Sequence, residues 1–468
     1  MSTDFGLDNL SDVTSIVGSR TDSNGLHAIG VKEVWRGPGT LAGLPSILQR
    51  CGAAPGGRVA LLTDETPKAG ANGDLLASVL ACVADFDISV VAIVAGHSLV
   101  HADEATVARA VGAVNATASE VLLSLGSGTV ADIGKVVARE LDLAHVVVVT
   151  AASVNGYTDD QSVLLLRGAK RTTPSRWPDV VVFDTDVLVR APISMTRSGL
   201  GDQLSMYTAA ADWYLADAVG FDTSFSIDVV EMMRVGSDDL LRLAGALGVG
   251  DPAATQLLAG CLSRGGLAMG MAGRTAPSSG AEHVVSHLLD MRAAARGVDA
   301  ASHGSQVGVA SVLVARVWDH VRARLVDGAS LTIPAGDRQR RVVDAFDLLD
   351  ASGATSAECW SSYARKWEWV TSHVDELVKV VADWSAHDDA VASLLLSGDA
   401  VADTLSRAGA PAAVRELDPA PDVETIRWAL ANGHLLRDRF SVLDLAELAG
   451  IWTDDDIDVI IDGARHGS

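Results

Sequence analysis

Short apolar runs without polar alternation recur through the first 190 residues of the chain. Runs this short, rich in Val, Ile and Leu, suit strands that are covered on both faces of a parallel sheet. Longer Ala-rich segments such as 103–117 separate them and favour helix. The alternation predicts βαβ units with right-handed crossovers. The predicted strands are 58–63, 88–94, 121–125, 145–150 and 180–183.

After about residue 190 the strand pattern fades, and apolar residues recur at three- and four-residue spacing, which is typical of helices. We expect a boundary near Pro192. It would separate an α/β domain of residues 1–190 from an all-α domain of residues 191–468 with an extended C-terminal tail. Two helices are expected in the tail after Gly409. The other predicted helices of this half are 238–247, 281–296, 306–325 and 340–350.

The composition indicates a globular protein with a large core, since 48% of the 468 residues are hydrophobic. Lys and Arg total 36 against 60 Asp and Glu, which gives a net charge of −24. This charge argues against nucleic-acid partners and anionic membrane surfaces, although a local basic pocket for an anionic substrate stays open. No apolar run approaches the roughly 20 residues of a membrane helix, so no membrane insertion is expected.

The cysteines are widely scattered and include no C-x-x-C pair, which predicts isolated thiols in a reducing compartment. They are Cys51, Cys82, Cys261 and Cys359. The N-terminal stretch MSTDFGLDNLSD lacks the basic and apolar regions of a signal peptide. We therefore expect a cytoplasmic protein, and the sequence leaves the formation of a homo-oligomer open.

A glycine turn, Gly126-Ser127-Gly128-Thr129, follows the third predicted strand and opens a helix. Glycines allow close backbone approach, and a helix N-terminus offers N–H groups and partial positive charge to a diphosphate. A tight strand-to-helix connection explains the turn equally well. The turn is neither the G-x-G-x-x-G of a first βαβ unit nor a P-loop.

Asp64 ends the first predicted strand. A carboxylate at this point could accept both ribose hydroxyls of an adenosine and repel the 2′-phosphate of NADP. The alternative is a solvated strand end or a helix cap.

Three histidines and one aspartate suggest a metal site. His283 and His287 lie four residues apart and so on one helix face, His303 stands at another expected helix start, and Asp202 follows two glycines. Two or three imidazoles with a carboxylate suit Zn²⁺, Fe²⁺ or Ni²⁺ and leave a position open for substrate. Glu282 precedes the histidine pair, so this is not the His-Glu-x-x-His motif of metalloproteases. A surface pair or a satisfied core pair of histidines is the alternative.

Taken in order, these motifs resemble the iron-containing alcohol dehydrogenase and glycerol dehydrogenase superfamily, and most of all its sn-glycerol-1-phosphate dehydrogenases. The resemblance implies a Rossmann-like α/β domain followed by a helical domain, the fold that this superfamily shares with dehydroquinate synthase. The motifs are Thr63-Asp64, Gly126 to Thr129 with Asp132 and Lys135, and the segments 150–157, 199–202, 279–287 and 303–309.

The resemblance also implies residue roles. Asp202, His283 and His303 would hold the metal, while His287 and Asn155 would face the substrate. Asp64 would bind the adenosine ribose and favour NAD over NADP. The other implied cofactor-binding residues are Gly126, Ser127, Gly128 and Thr129 at the diphosphate, and Asp132, Lys135, Thr150 and Ser153.

This chain departs from the family pattern at Asn155, where relatives usually have an Asp that touches substrate; Asn keeps the shape but carries no charge. Asp159 and Asp160 stand where relatives often have small residues. Lys170 and Arg171 are candidate phosphate ligands or a solvated basic pair.

The function implied is a metal-dependent, NAD(P)-linked oxidoreductase that interconverts a small polyol or polyol phosphate, such as glycerol 1-phosphate, and its ketone. The metal would bind the substrate oxygen and lower its pKa. Zn²⁺ is the first expectation and Fe²⁺ or Ni²⁺ the alternatives; NAD is preferred to NADP. A cyclase of the dehydroquinate synthase type and a non-catalytic relative that binds NAD or metal remain the competing hypotheses.

Overall fold

The computed structural model describes residues 26–70, 73–94, 100–166 and 169–463, so the N-terminal stretch considered above for a signal peptide lies outside the described residues. Contacts divide the chain into two compact units. The first reaches beyond residue 190, because it takes in helices that the periodicity had assigned to the second domain. It comprises Met1–Leu166, Lys170–Gln203 and Ile227–Thr275, and the second comprises Arg167–Ala169, Leu204–Ser226 and Ala276–Ser468.

The centre of the first unit is a six-stranded sheet in the order β1-β10-β7-β6-β2-β5, and every strand pair in it is parallel. The five predicted strands all belong to this sheet, which confirms the α/β interpretation. Two small two-stranded sheets, β3–β4 and β8–β9, accompany it. The strands are β1 (Glu33–Gly37), β2 (Arg58–Asp64), β3 (Ala69–Gly70), β4 (Gly73–Asp74), β5 (Asp87–Ile93), β6 (Val121–Gly126), β7 (Ala144–Val149), β8 (Gln161–Leu166), β9 (Ala169–Pro174) and β10 (Val180–Asp184).

Helices of the first unit cover both faces of the sheet, which explains why its central strands are apolar without alternation. On one face Leu61 and Leu123 pack with Leu44, and on the other Leu62 packs with Ile133. The helices are α1 (Leu44–Arg50), α2 (Leu75–Cys82), α3 (Glu104–Thr117), α4 (Gly128–Leu141), α5 (Thr185–Leu188), α6 (Ile193–Ala218), α7 (Ile227–Arg234), α8 (Ser237–Arg242), α9 (Ala244–Leu247) and α10 (Pro252–Ala272), with a 3-10 turn at Thr40–Gly43.

Helix α6 is continuous, and its residues are shared by the two units after Gln203. The helix expected at 238–247 is broken into α8 and α9 at Leu243, whose backbone leaves the helical region with ψ of 6°.

Apart from Ala169, which belongs to β9, the described secondary structure of the second unit is helical and begins with the part of α6 after Gln203. Its helices are α11 (Ala281–Arg296), α12 (His303–Val326), α13 (Arg338–Phe346), α14 (Ala354–Ser372), α15 (Val374–Ala382), α16 (Ser385–Leu394), α17 (Gly398–Arg407), α18 (Val423–Asn432), α19 (Val442–Leu448) and α20 (Asp454–Gly463), with 3-10 turns at Val414–Glu416 and Gly433–Leu435. Helix α11 has the predicted bounds and α12 contains 306–325. The tail holds three α-helices where two were expected.

None of the helices in the described part of the chain combines the length and apolar character that a membrane span needs. The cysteines form no disulfide, in agreement with the expectation of isolated thiols.

Candidate active site

The glycine turn joins β6 to α4 as the sequence predicts, with Ser127 as the N-cap residue. A Cβ on Gly126 would lie 2.4 Å from the Val130 Cβ, and one on Gly128 would lie 2.9 Å from a methyl of Val154. Both positions therefore require glycine for packing. The first N–H groups of α4 have no acceptor inside the helix, so the turn presents donors and partial positive charge to an anion.

Asp64 ends β2, but its carboxylate forms an ion pair with Lys68 and accepts a hydrogen bond of 3.1 Å from the Thr66 hydroxyl. A ribose bound there would have to share the carboxylate with Lys68. Its role in cofactor binding stays a prediction.

Lys135 on α4 is fully buried and surrounded by acceptors. Its Nζ donates to the Gly156 carbonyl at 2.8 Å and to Asp159 Oδ1 at 2.6 Å, and it lies 3.1 Å from Asp132 Oδ1. It also donates to the Gln161 carbonyl. Burial opposes the charge of Lys135, but Asp159 and Asp132 outweigh it and raise its pKa. These contacts tie α4 to the 150–161 segment.

The segment after β7 begins with Thr150, whose N–H donates to the Gly126 carbonyl at 3.1 Å. Ser153 Oγ lies 3.1 Å from the Tyr157 hydroxyl, which also donates to the Ala151 carbonyl. The hydrogen bond of Thr150 thus joins the start of this segment to the glycine turn. Ser153 has its polar partner inside the segment and Thr150 has its partner in the glycine turn, and both contacts hold the path of the backbone.

Asp202 lies on α6 and is 1% exposed. Its Oδ2 accepts a hydrogen bond of 2.8 Å from the backbone N–H of Asn155. One turn earlier, a Cβ on Gly199 would lie 1.9 Å from the Ala152 carbonyl oxygen, so only glycine allows α6 to approach the segment this closely. The unusual Asn155 therefore contacts the site through its main chain, which the Asp-to-Asn difference leaves intact.

His283 on α11 is oriented by the preceding residue. Its Nδ1 lies 2.9 Å from Glu282 Oε1, and Glu282 is fully buried. Glu282 also accepts from the Gly280 N–H at 2.6 Å and from the Thr208 hydroxyl at 2.7 Å. Because the carboxylate accepts, Nδ1 donates and Nε2 is left as the ligand atom, as in carboxylate–histidine–metal arrangements.

His303 is the first residue of α12, and its Nδ1 lies 3.3 Å from the Ser286 hydroxyl. Its ring centroid lies 5.3 Å from that of His283 and 5.9 Å from that of His287. Helices α11 and α12 thus bring the three imidazoles together. His287, which is 2% exposed, has a further neighbour in the chain, because the guanidinium of Arg437 donates to its Nδ1.

One potential ligand atom from each of Asp202, His283 and His303 lies within 4.8 Å of the others. A carboxylate with two imidazoles is a donor set that suits borderline divalent cations such as Zn²⁺, Fe²⁺ and Ni²⁺. The residues therefore fit the metal that the resemblance implies.

Two contributors were missed by the sequence reasoning. Glu282 was considered only as evidence against a metalloprotease motif, although a carboxylate beside a helical histidine pair was a usable indication of a metal-orienting partner. Arg437 had no local pattern to mark it, because 150 positions separate it from His287. Lys170 and Arg171 lie on β9.

A model of the iron-containing alcohol dehydrogenase family matches residues 36–192. The chain is 35% identical over 243 residues to a Haloquadratum walsbyi protein named glycerol-1-phosphate dehydrogenase (NAD(P)+), covering 50% of this chain and 68% of that one. A Bacillus licheniformis protein of the same name is 27% identical over 352 residues, covering 75% and 74%.

The fold is shared with solved glycerol dehydrogenases. The Schizosaccharomyces pombe enzyme matches with a TM-score of 0.61 at 14% identity, covering 95% of this chain and 92% of that one. A probable glycerol dehydrogenase from Sinorhizobium meliloti matches with a TM-score of 0.58 at 16% identity, covering 94% and 99%. The parallel sheet followed by a helical region is thus confirmed as the expected architecture. The chain belongs to the iron-containing alcohol dehydrogenase family.

Proposed function

We propose that this chain is a metal-dependent, NAD(P)-linked dehydrogenase that interconverts the secondary alcohol of a small polyol phosphate with its ketone. Glycerol 1-phosphate and dihydroxyacetone phosphate are the first pair to consider, because relatives carry the name glycerol-1-phosphate dehydrogenase. The observation that carries the proposal is the convergence of the Asp202 carboxylate with the imidazoles of His283 and His303.

In this proposal Asp202, His283 and His303 hold one divalent cation, with Zn²⁺ as the first expectation. When bound, such a cation supplies Lewis acidity to a substrate oxygen, and the nicotinamide accepts or gives the hydride. The buried Glu282 keeps His283 in the tautomer that offers Nε2. The Asn155 N–H donates to Oδ2 of Asp202 and so helps to hold this carboxylate in place.

We assign the cofactor to the sheet-bearing unit. The N-terminus of α4 offers backbone donors to a diphosphate at the carboxyl end of β6, and Gly126 and Gly128 keep side chains out of the way. Thr129, Asp132, Thr150 and Ser153 stay predicted neighbours of the cofactor. Asp64 would favour NAD over NADP by repelling a 2′-phosphate.

His287 takes the role of orienting the substrate hydroxyl. Since Arg437 donates to Nδ1, the ring proton of a neutral His287 sits on Nε2 and can donate a hydrogen bond to an oxygen. While this contact persists, Nδ1 cannot take up a second proton. We therefore assign the transferred proton to water and leave His287 and the side-chain amide of Asn155 to hold the substrate.

The test is oxidation of NADH or NADPH by purified protein with added Zn²⁺, Fe²⁺ or Ni²⁺ and dihydroxyacetone phosphate. In Asp202→Asn and in His303→Ala, metal affinity and turnover should each fall at least about 100-fold. His101→Ala is the matched control, because that imidazole is exposed. Metal content is measured beside activity.

Three outcomes would refute the assignment. Turnover of a sugar phosphate with NAD recycled and no net consumption of NADH would favour a cyclase. Binding of NAD and metal without any turnover would favour a non-catalytic relative. Full activity in His303→Ala would remove this histidine from the metal site.

We also place the protein in the cytoplasm. The observation behind this is that its four cysteines form no disulfide, which suits a reducing compartment.

A further inference from the structure

The C-terminal region contributes a short segment, residues 433–441, whose position is fixed from within the second unit. The buried Lys366 donates from Nζ to the carbonyls of His434 at 2.6 Å and Arg439 at 2.9 Å. The same ammonium forms an ion pair of 2.6 Å with Asp444 on α19. One buried cation thus holds both ends of the turn that contains Arg437.

A second buried group attaches this segment to the histidine-bearing helix. Asp212 is 2% exposed and accepts from the Ala281 N–H at 2.7 Å and from the Val442 N–H at 2.9 Å. Ala281 begins α11 and Val442 begins α19. The helix that carries His283 and His287 and the helix that follows Arg437 therefore share one carboxylate between their first residues.

The two arginines of the segment have different surroundings. Arg439 donates to the Ser279 hydroxyl at 3.1 Å. Burial lowers the pKa of Arg439, and the carboxylates of Glu282 and Asp212 oppose that effect by favouring its charge. Arg439 thus compensates the negative charge at the start of α11.

Arg437 is buried, and its guanidinium donates to a neutral ring, Nδ1 of His287. A guanidinium stays charged in proteins and carries its donors in a planar fork that matches phosphate geometry. The chain as a whole has a net charge of −24. A cation next to His287 would therefore favour the binding of an anionic substrate there.

We propose that Arg437 is the anion receptor of the active site and binds the phosphate group of a polyol phosphate substrate beside His287. This inference rests on the proposed function, since it specifies which group of the substrate the second unit recognises. It also gives the C-terminal segment a role in substrate selection.

The experiment compares kcat/KM for dihydroxyacetone phosphate with kcat/KM for dihydroxyacetone. In Arg437→Met the ratio of the two should fall about 100-fold, because charge-assisted, bidentate contacts to the phosphate are lost. The ratio for Arg437→Lys should lie between those of the wild type and Arg437→Met, since Lys keeps the charge but lacks the planar set of donors. Arg296→Met is the matched control, because Arg296 forms a surface ion pair with Asp422 and the ratio should not change.

Calorimetric titration with inorganic phosphate provides a readout that is independent of turnover. The wild-type chain should bind phosphate and Arg437→Met should bind it at least about tenfold more weakly. This titration still decides the question if the wild type reduces neither ketone, which is the result that would refute the proposed function alone.

Two results would overturn the inference. If Arg437→Met lowers kcat/KM for both ketones by the same factor and leaves phosphate binding unchanged, Arg437 only supports His287. If Lys170→Met or Arg171→Met lowers the ratio and Arg437→Met does not, the phosphate is bound from β9 instead.

Discussion

Replacing Lys135 with Met should destabilise the sheet-bearing unit far more than replacing Lys32 with Met. Each lysine forms an ion pair with an aspartate at nearly the same distance, 2.6 Å for Lys135–Asp159 and 2.7 Å for Lys32–Asp179. The difference is exposure, since the Lys135 side chain is 0% exposed and that of Lys32 is 72% exposed. The two variants therefore compare a buried lysine that has several acceptors with an exposed lysine in a similar ion pair.

The magnitude follows from what each deletion leaves behind. Without Lys135, the carboxylates of Asp159 and Asp132 lose their shared cation, and Asp159 is 4% exposed. Breaking a buried ion pair from one side costs about 3–5 kcal/mol. Water can replace an exposed lysine, so Lys32→Met should cost about 1 kcal/mol or less. Asp159→Asn in the Lys135→Met background should recover about 2 kcal/mol of the loss.

The assay is urea unfolding followed by far-ultraviolet circular dichroism, with NADH turnover measured on the same preparations. Lys135→Met should also lower turnover, because the segment it holds carries the N–H that binds Asp202. Equal losses for the two lysine variants, or strictly additive losses for Lys135→Met and Asp159→Asn, would refute the reasoning.

Gly199→Ala should cost at least about 2 kcal/mol and weaken metal binding, because its Cβ would lie 1.9 Å from the Ala152 carbonyl. Gly112→Ala in open space should instead stabilise by up to about 1 kcal/mol; thermal melts that rank them the other way contradict this. Burial would raise the pKa of Glu447, but its contacts with His434 and Arg338 hold that pKa far below the ordinary value. The stabilisation by the Glu447 carboxylate is therefore present above about pH 4.3 and is lost as the pH falls. The urea midpoint of Glu447→Gln should be lower than that of the wild type at pH 7 and should change less on acidification; parallel plots of midpoint against pH for the two proteins would count against this reasoning. A chelator should abolish turnover and lower the melting temperature, with recovery on adding Zn²⁺; activity that survives chelation would exclude a catalytic metal.

The main sheet was predictable because burial on both faces leaves a strong mark in the sequence. The runs that became β2, β6, β7 and β10 are almost wholly apolar. Strand β1, Glu-Val-Trp-Arg-Gly, was missed because it mixes charged and apolar residues and, among the described strands, is an edge strand that pairs with β10. Strand β9 was missed for a similar reason, since its residues are polar.

The candidate site was predictable where its residues lie close together in the sequence. The four-residue interval of His283 and His287 and the position of His303 at an expected helix start predict that these residues lie on helices, as they do. Spacing could not reveal Arg437, which approaches His287 only through tertiary packing. Nor could it show that Lys135 is enclosed by acceptors, since the pattern that suggests a cofactor ligand is the same as that of a buried ion pair.

The side chain of Asp212 links the start of α19, late in the chain, to the start of α11, which carries His283 and His287. A protein that ended just before Val442 would keep every residue proposed to hold the metal. It would nevertheless leave one oxygen of the buried Asp212 side chain without its hydrogen bond, next to the start of α11. Truncations before Val442 should therefore lower turnover as substitutions in the candidate site do, and should not leave it unchanged.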